Sequence, residues 1–153
     1  MTDETYNYRK LVLWQKAQEL TLEIVNLVSK LPNDRVAPVL GRQPLRSASL
    51  IGANVAEGHG RFSFAAHRNH LSIAKGSACE TDGWLDLLRR SGYLEDVDEA
   101  RLHNACQEII RMLTAKILDL QRREAASGKR VREQPEPYMA DVPGAVDQPG
   151  SRF

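Results

Sequence analysis

The sequence predicts an all-α protein, an antiparallel up-down four-helix bundle, and three observations carry that prediction. Between residues 8 and 124 apolar side chains recur at alternating steps of three and four, which places them on one side of a 3.6-residue turn. Helix breakers, Pro32-Asn33, Gly58 with Gly60, and Ser91-Gly92, divide this stretch into four segments joined by short connections. The 153 residues are 42% hydrophobic with 21 Lys plus Arg against 20 Asp plus Glu, the balance of one globular domain that needs no disulfide or metal to hold its core.

The first helix is expected from Tyr8 to Leu31, where Leu13, Ala17, Leu20, Ile24, Leu27 and Leu31 form the stripe and Pro32 cannot continue the ladder. The second is expected between Pro44 and Gly58 and differs in kind. Ser47, Ala48, Ser49, Gly52, Ala53 and Ala56 leave little volume around Leu45, Ile51 and Val55, so its backbone can approach a neighbour closely. Gly52 costs about 1 kcal/mol against alanine inside a helix, a cost that close packing offsets. The third helix is expected from Ser63 to Ser91, with Phe64, His67, Leu71, Ala74, Ala78, Thr81, Leu85 and Leu88 inward and Arg89-Arg90-Ser91-Gly92 ending it. The fourth is expected from Val97 to Glu124, opened by a capping box of Asp96 and Glu99 and lined by Leu102, Cys106, Ile109, Leu113, Ile117 and Leu120.

The bundle domain is thus placed at 1–124. Residues 125–153 hold Pro135, Pro137, Pro143 and Pro149 with three glycines and no apolar period, and they read as a flexible tail of cancelling charge. No run approaches the roughly 20 apolar residues of a membrane span, and the acidic start Met1-Thr2-Asp3-Glu4-Thr5 lacks the order of a secretory signal. A cytoplasmic location is expected, with Cys79 and Cys106 as free thiols.

No nucleophile elbow, phosphate loop or zinc-protease helix occurs, so no catalytic residue, cofactor or small-molecule substrate is expected. His67 and His70 stand at i, i+3 but lack a carboxylate or cysteine one turn away, and no metal is expected. The most unusual stretch is Asn54-Val55-Ala56-Glu57-Gly58-His59-Gly60-Arg61. Two readings of it stand: Asn54, Glu57 and Gly58 build the corner between the second and third helices through hydrogen bonds, or they belong to a binding site. Charge is also uneven. Arg35, Arg42, Arg46, Arg61, Arg68 and Lys75 face Glu57 alone over 35–75, a net +5, whereas 80–99 carries seven carboxylates against Arg89 and Arg90. Ordinary solvated faces account for this, as do opposite poles suited to subunit pairing or nucleic acid.

Three blocks in order carry a family resemblance: Tyr8-Arg9-Lys10-Leu11-Val12-Leu13-Trp14-Gln15-Lys16-Ala17, then Ile51-Gly52-Ala53-Asn54-Val55-Ala56-Glu57-Gly58, then Gly76-Ser77-Ala78-Cys79-Glu80-Thr81 with Trp84-Leu85 and Gly92-Tyr93-Leu94. Over nearly all of 8–120 the chain resembles the bacterial four-helix-bundle family of 23S ribosomal RNA intervening-sequence proteins, and more distantly the accessory protein of diversity-generating retroelements, which works beside a reverse transcriptase and binds nucleic acid. It departs from the family at Pro44, where leucine is usual inside a longer second helix, and at Leu50, where serine is frequent. The resemblance implies a non-enzymatic, ring-forming homo-oligomer, expected to be a pentamer. Together with the basic segment it points to RNA or DNA as a partner through Arg46, Arg61, Arg68 and Lys75; a structural oligomer that binds a protein partner is the alternative.

Overall fold

The computed structural model describes residues 7–133, with side chains through position 128. Among the described residues the elements are a 3-10 turn at Tyr8–Lys10 and four α-helices, α1 (Val12–Ser29), α2 (Ala37–His59), α3 (Phe64–Arg90) and α4 (Asp96–Glu133), with no strand. Each helix packs on the next in antiparallel order and α1 closes the bundle against α4, the α2–α3 seam being the most extensive and the α1–α4 seam the thinnest. The all-α up-down bundle is therefore the observed fold.

The stripes bury as their spacing requires. Ala17, Leu20 and Ile24 from α1, Ala48, Ile51 and Val55 from α2, Leu71, Ala74, Ala78, Leu85 and Leu88 from α3, and Leu102, Cys106, Ile109, Leu113 and Leu120 from α4 share one core. Trp14 and Trp84 are each partly buried, Trp14 meeting the Tyr8 ring edge-on at 5.4 Å. Phe64 departs from the expected stripe: at the first position of α3 it stands 37% exposed, because the seam does not reach the helix end.

Three boundaries differ from expectation. The first helix does not begin at Tyr8: Asn7 Oδ1 accepts the Arg9 N–H at 3.0 Å and closes a 3-10 turn, after which extended Leu11 separates it from α1. Near Pro32 the last bonds of α1 tighten to three-residue steps, from Lys30 N–H to Leu27 O and Leu31 N–H to Val28 O, so the α-helix stops at Ser29. The second difference is larger. α2 starts at Ala37, seven residues before Pro44, with Pro38 in its first turn, where a missing N–H costs nothing. Asp34 supplies the start signal, since its Oδ1 accepts the N–H groups of Val36 and Ala37 at 2.8 and 2.7 Å. Pro44 is consequently interior and buried, and the Ser47 hydroxyl bonds back to the carbonyls of Gln43 and Pro44 beside it. Third, α4 does not stop at Glu124 but runs to Glu133. Ala125, Ala126 and the basic residues that follow are good helix formers, and the first true breaker is Pro135. The remainder of the predicted tail lies outside the described residues. Asp96 and Glu99 turn to Arg89 of α3, at 3.5 and 3.9 Å, rather than closing a capping box.

The turns are secured by specific bonds. Ser63 Oγ caps α3 by accepting the Ala66 N–H at 3.1 Å. At the other end Gly92, with φ +79°, allows Tyr93 N–H to reach Leu88 O and its own N–H to reach Arg89 O, both at 2.9 Å. Tyr93 then donates its hydroxyl to Asp34 Oδ2 at 2.9 Å, tying the α3–α4 turn to the start of α2. Leu113 is fully buried in the α4 face of the core. Replacing it by alanine is expected to cost about 2 to 5 kcal/mol in urea unfolding, and a loss below about 0.5 kcal/mol would remove it from the dense core.

Candidate functional site

The unusual stretch folds into the corner where α2 ends and α3 begins. Asn54, buried near the end of α2, donates from Nδ2 to Leu50 O at 2.9 Å, which fixes its amide so that Oδ1 faces α3. There it meets His70 Nδ1 at 3.3 Å. Arg61 Nε lies 3.1 Å from His70 Nε2, and because a guanidinium can only donate, Nε2 accepts and Nδ1 carries the proton given to Asn54. The same guanidinium pairs with Glu57, one turn back on α2, whose Oε1 stands 3.7 Å from His70 Nε2. The polar groups form one directed chain: Arg61 donates to Glu57 and His70, His70 to Asn54, and Asn54 to the backbone. Both imidazole nitrogens of His70 are thus engaged.

Gly58 lets the corner close. A Cβ there would stand 3.0 Å from His70 Cβ, 3.1 Å from His67 Cδ2 and 3.3 Å from the His67 carbonyl oxygen, so a side chain at 58 would require α3 to give by a few tenths of an ångström. His67 turns away from His70, toward His59, with the two rings edge to face at 6.5 Å. Burial holds the His67 imidazole below its usual range, with the positive potential of Lys116, His59 and His70 acting in the same direction. These three histidines do not converge on one point.

Beside His67 a groove of about 530 Å³ opens between the start of α1 and the second half of α4. Leu11, Leu13, Val55, Leu71 and Met112 supply its apolar walls, and His59, His67, Lys116 and Asp119 its polar end. Its position follows from the thin α1–α4 seam, which elsewhere is bridged by Lys16 with Glu108 at 3.0 Å and by Arg101 with Glu23. Of the thiols, Cys79 is exposed, while burial pushes that of Cys106 up to about 12.

The four cations named from the sequence do not form one cluster. Arg61 belongs to the corner chain. Arg68 crosses to Glu124 of α4 at 2.6 Å, and Lys75, seven residues further along α3 and hence on the same flank, is partly buried. Arg46 stands on the solvent side of α2. There it has a neighbour that the sequence selection passed over: Arg42, one turn earlier, is equally exposed. Val39, Arg42, Arg46, Ser49 and Ala53 make a solvent-facing stripe with no carboxylate before Glu57, which Arg61 holds. The signal for it in the sequence is the i, i+4 spacing of the two arginines, of which a helix starting at Pro44 leaves Arg42 outside any element.

A family model described as 23S rRNA-intervening sequence protein matches residues 9–115. Among solved structures, the chain is similar to a protein of unknown function from the S23 ribosomal protein family of Bacteroides thetaiotaomicron VPI-5482. The two share 37% identity and a TM-score of 0.65, with 69% of this chain and 98% of that one covered. No curated protein matches.

Two measurements check this geometry. Gly58→Ala is expected to destabilise the protein even though alanine favours helix, because the His67 backbone lies in the way; Gly76→Ala, where the new Cβ meets nothing within 4 Å, is expected to stabilise it by up to about 1 kcal/mol. Equal effects of the two in thermal unfolding would contradict the close crossing. Acid should also weaken the fold through His67. In the unfolded chain the imidazole binds its proton near pH 6.5, and in the folded chain only at lower pH, so the unfolded state binds more protons as pH drops below about 6.5 and stability falls there. Urea midpoints measured between pH 7.5 and 5 should decline less steeply in His67→Gln than in the parent protein.

Proposed function

The chain belongs to the 23S rRNA-intervening sequence protein family, and from that premise we propose that it is a non-enzymatic accessory protein that assembles as a homopentameric ring and engages RNA or DNA through its exposed cations. The observation that carries this reading is the outer stripe of α2, where Arg42 and Arg46 stand one turn apart without a carboxylate partner among the described residues. Such a pair is too small to bind a polyanion alone. Repeated around a ring, five copies of two arginines make about ten phosphate contacts, enough for counterion release to dominate the affinity. The contribution of Arg61 and Arg68 is reduced by the carboxylates that hold them, and Lys75 adds charge from the flank of α3. Base stacking adds little, since Phe62 is the sole fully exposed aromatic among the described residues.

Apolar side chains that face solvent, among them Leu22 and Val25 on α1 and Val39 on α2, supply material for contacts between copies or with a protein partner. That is the basis of the alternative, a structural oligomer with no nucleic-acid role.

The deciding experiment titrates single-stranded RNA and duplex DNA by filter binding at 50 mM salt while light scattering follows the particle mass against the 17.2 kDa chain. The parent protein should bind both weakly in sequence preference and lose roughly 10³ to 10⁵ in affinity between 50 and 200 mM salt. Arg42→Glu with Arg46→Glu should abolish binding, and Arg61→Glu with Arg68→Glu should weaken it less. Identical binding by the parent and the Arg42, Arg46 variant with rings intact, or none by either, would leave the structural alternative; a monomer at every concentration would end the ring.

A further inference from the structure

The groove beside His67 is not used by the reading above, and its chemistry is of a different kind. Its volume of about 530 Å³ falls within the range of small-molecule sites. The walls are aliphatic side chains and the Met112 thioether, with no phenyl or indole ring, which fits a flexible hydrocarbon better than a flat one. Val12 on its rim is 56% exposed, so apolar surface there remains in contact with water. One end is polar, with one cation, Lys116, and one carboxylate, Asp119, in the lining and Arg123 one turn beyond it. Asp119 is the single carboxylate in the lining, and it is shared between Lys116 at 3.6 Å and Arg123 at 3.0 Å, so two cations answer one anion. His59 and His67 flank Lys116 there, and α1 contributes no charge to the lining.

The geometry points to a binding site for a medium-chain aliphatic carboxylate, with its hydrocarbon lying along Leu13, Leu71 and Met112 and its carboxylate on the Lys116 ammonium beside His67. Charge complementarity selects the head group: a second carboxylate would complete the Lys116, Arg123 and Asp119 set, whereas a cationic amphiphile would meet like charge. The apolar walls select the tail. His67 has its proton affinity lowered in the empty groove, and an arriving anion would offset the Lys116 potential that contributes to that lowering.

Calorimetric titration of the full chain with decanoate, below its micelle concentration at pH 7.5, tests the site. A saturable signal of one decanoate per chain is expected. Decanol, which keeps the tail and lacks the charge, should bind at least tenfold more weakly, and Lys116→Gln should weaken decanoate about tenfold. Ala115→Trp, at an exposed position on the groove wall, should fill the space and abolish binding with far-UV circular dichroism unchanged. Absence of saturable heat, equal affinity for decanol, or undiminished binding in Ala115→Trp would overturn the proposal. So would an inert decanoate combined with a change of oligomeric mass in Ala115→Trp, which would make the groove the seat of a second copy. If Ala115→Trp fails to fold, Lys116→Gln decides, because its head group is exposed and its loss leaves the core untouched; unchanged affinity in that variant overturns the assignment.

Discussion

Everything in this bundle depends on how closely α2 lies against its two neighbours. On one side, a Cβ at Gly41 would stand 2.7 Å from Leu31 Cδ1, just past the end of α1, and 3.3 Å from Val28 of α1, and one at Gly52 would meet the end of the Gln18 side chain beside Trp14. On the other side, Gly58 meets the His67 backbone of α3. Residues without side-chain volume would ordinarily leave a helix weak, since glycine contributes no contacts of its own and costs about 1 kcal/mol in helix propensity. Here the missing volume is occupied by the neighbours, and the helix becomes the element against which α1 and α3 are both registered. Midway along the seam the buried hydroxyls of Ser47 and Thr81 meet at 2.8 Å, and each also reaches a carbonyl of its own helix, so both polar groups are satisfied where α2 and α3 touch.

This constraint also decides what could be read from the residues alone. Large side chains at helical spacing declare which face is buried, and the stripes of α1, α3 and α4 were legible for that reason. Small residues declare only that something comes close, not what. Gly52 and the small residues around it thus pointed to close packing, while the partner, Gln18 of α1, and the further close approaches at Gly41 and Gly58 required coordinates. Pro44 misled in a specific way. A proline forbids one hydrogen bond and is commonest at a helix start, but inside a longer helix it can be carried when tertiary packing is strong, as at the buried Pro44. The true start signal, the Asp34 carboxylate on two backbone amides, lies ten residues earlier.

The candidate site shows a different limit. Spacing placed Asn54 and Glu57 one turn apart, and the corner they occupy followed; that Arg61 would complete a chain through His70 depended on α3 crossing at Gly58, which is a tertiary fact. Charge counting failed more broadly, because it sums residues without regard to pairing. Arg68 is answered by Glu124 from a different helix, and in the acidic segment Arg89 gathers Asp86, Asp96 and Glu99 around itself. What survives of the basic segment as exposed cations without an ion pair among the described residues is Arg35 and the stripe of Arg42 and Arg46, a smaller feature than the net charge suggested and one that needs repetition to act.

The two ends of the bundle differ, and the difference locates where function can reside. At the end that holds the α1–α2 and α3–α4 turns, Gly92 closes α3, Arg89 ties α3 to the first turn of α4, and one long-range bond, from Tyr93 to Asp34, joins the two turns. At the opposite end α1 begins only after a 3-10 turn, and Glu124 of α4 already meets Arg68 near the start of α3, so the rest of α4 runs past its neighbours. A seam bridged mainly by ion pairs between side chains that are a third to a half exposed contributes little cohesion, since such pairs are worth at most about 1 kcal/mol each. The groove exists because the apolar contact that would close α1 on α4 is incomplete there. The Asn54, His70 and Arg61 chain, on the neighbouring seam, keeps α2 and α3 fixed while that opening persists. The hydrogen-bonded corner and the open seam therefore adjoin, and the groove lies on the seam beside His67 while the bonded chain runs through His70 one turn further along α3.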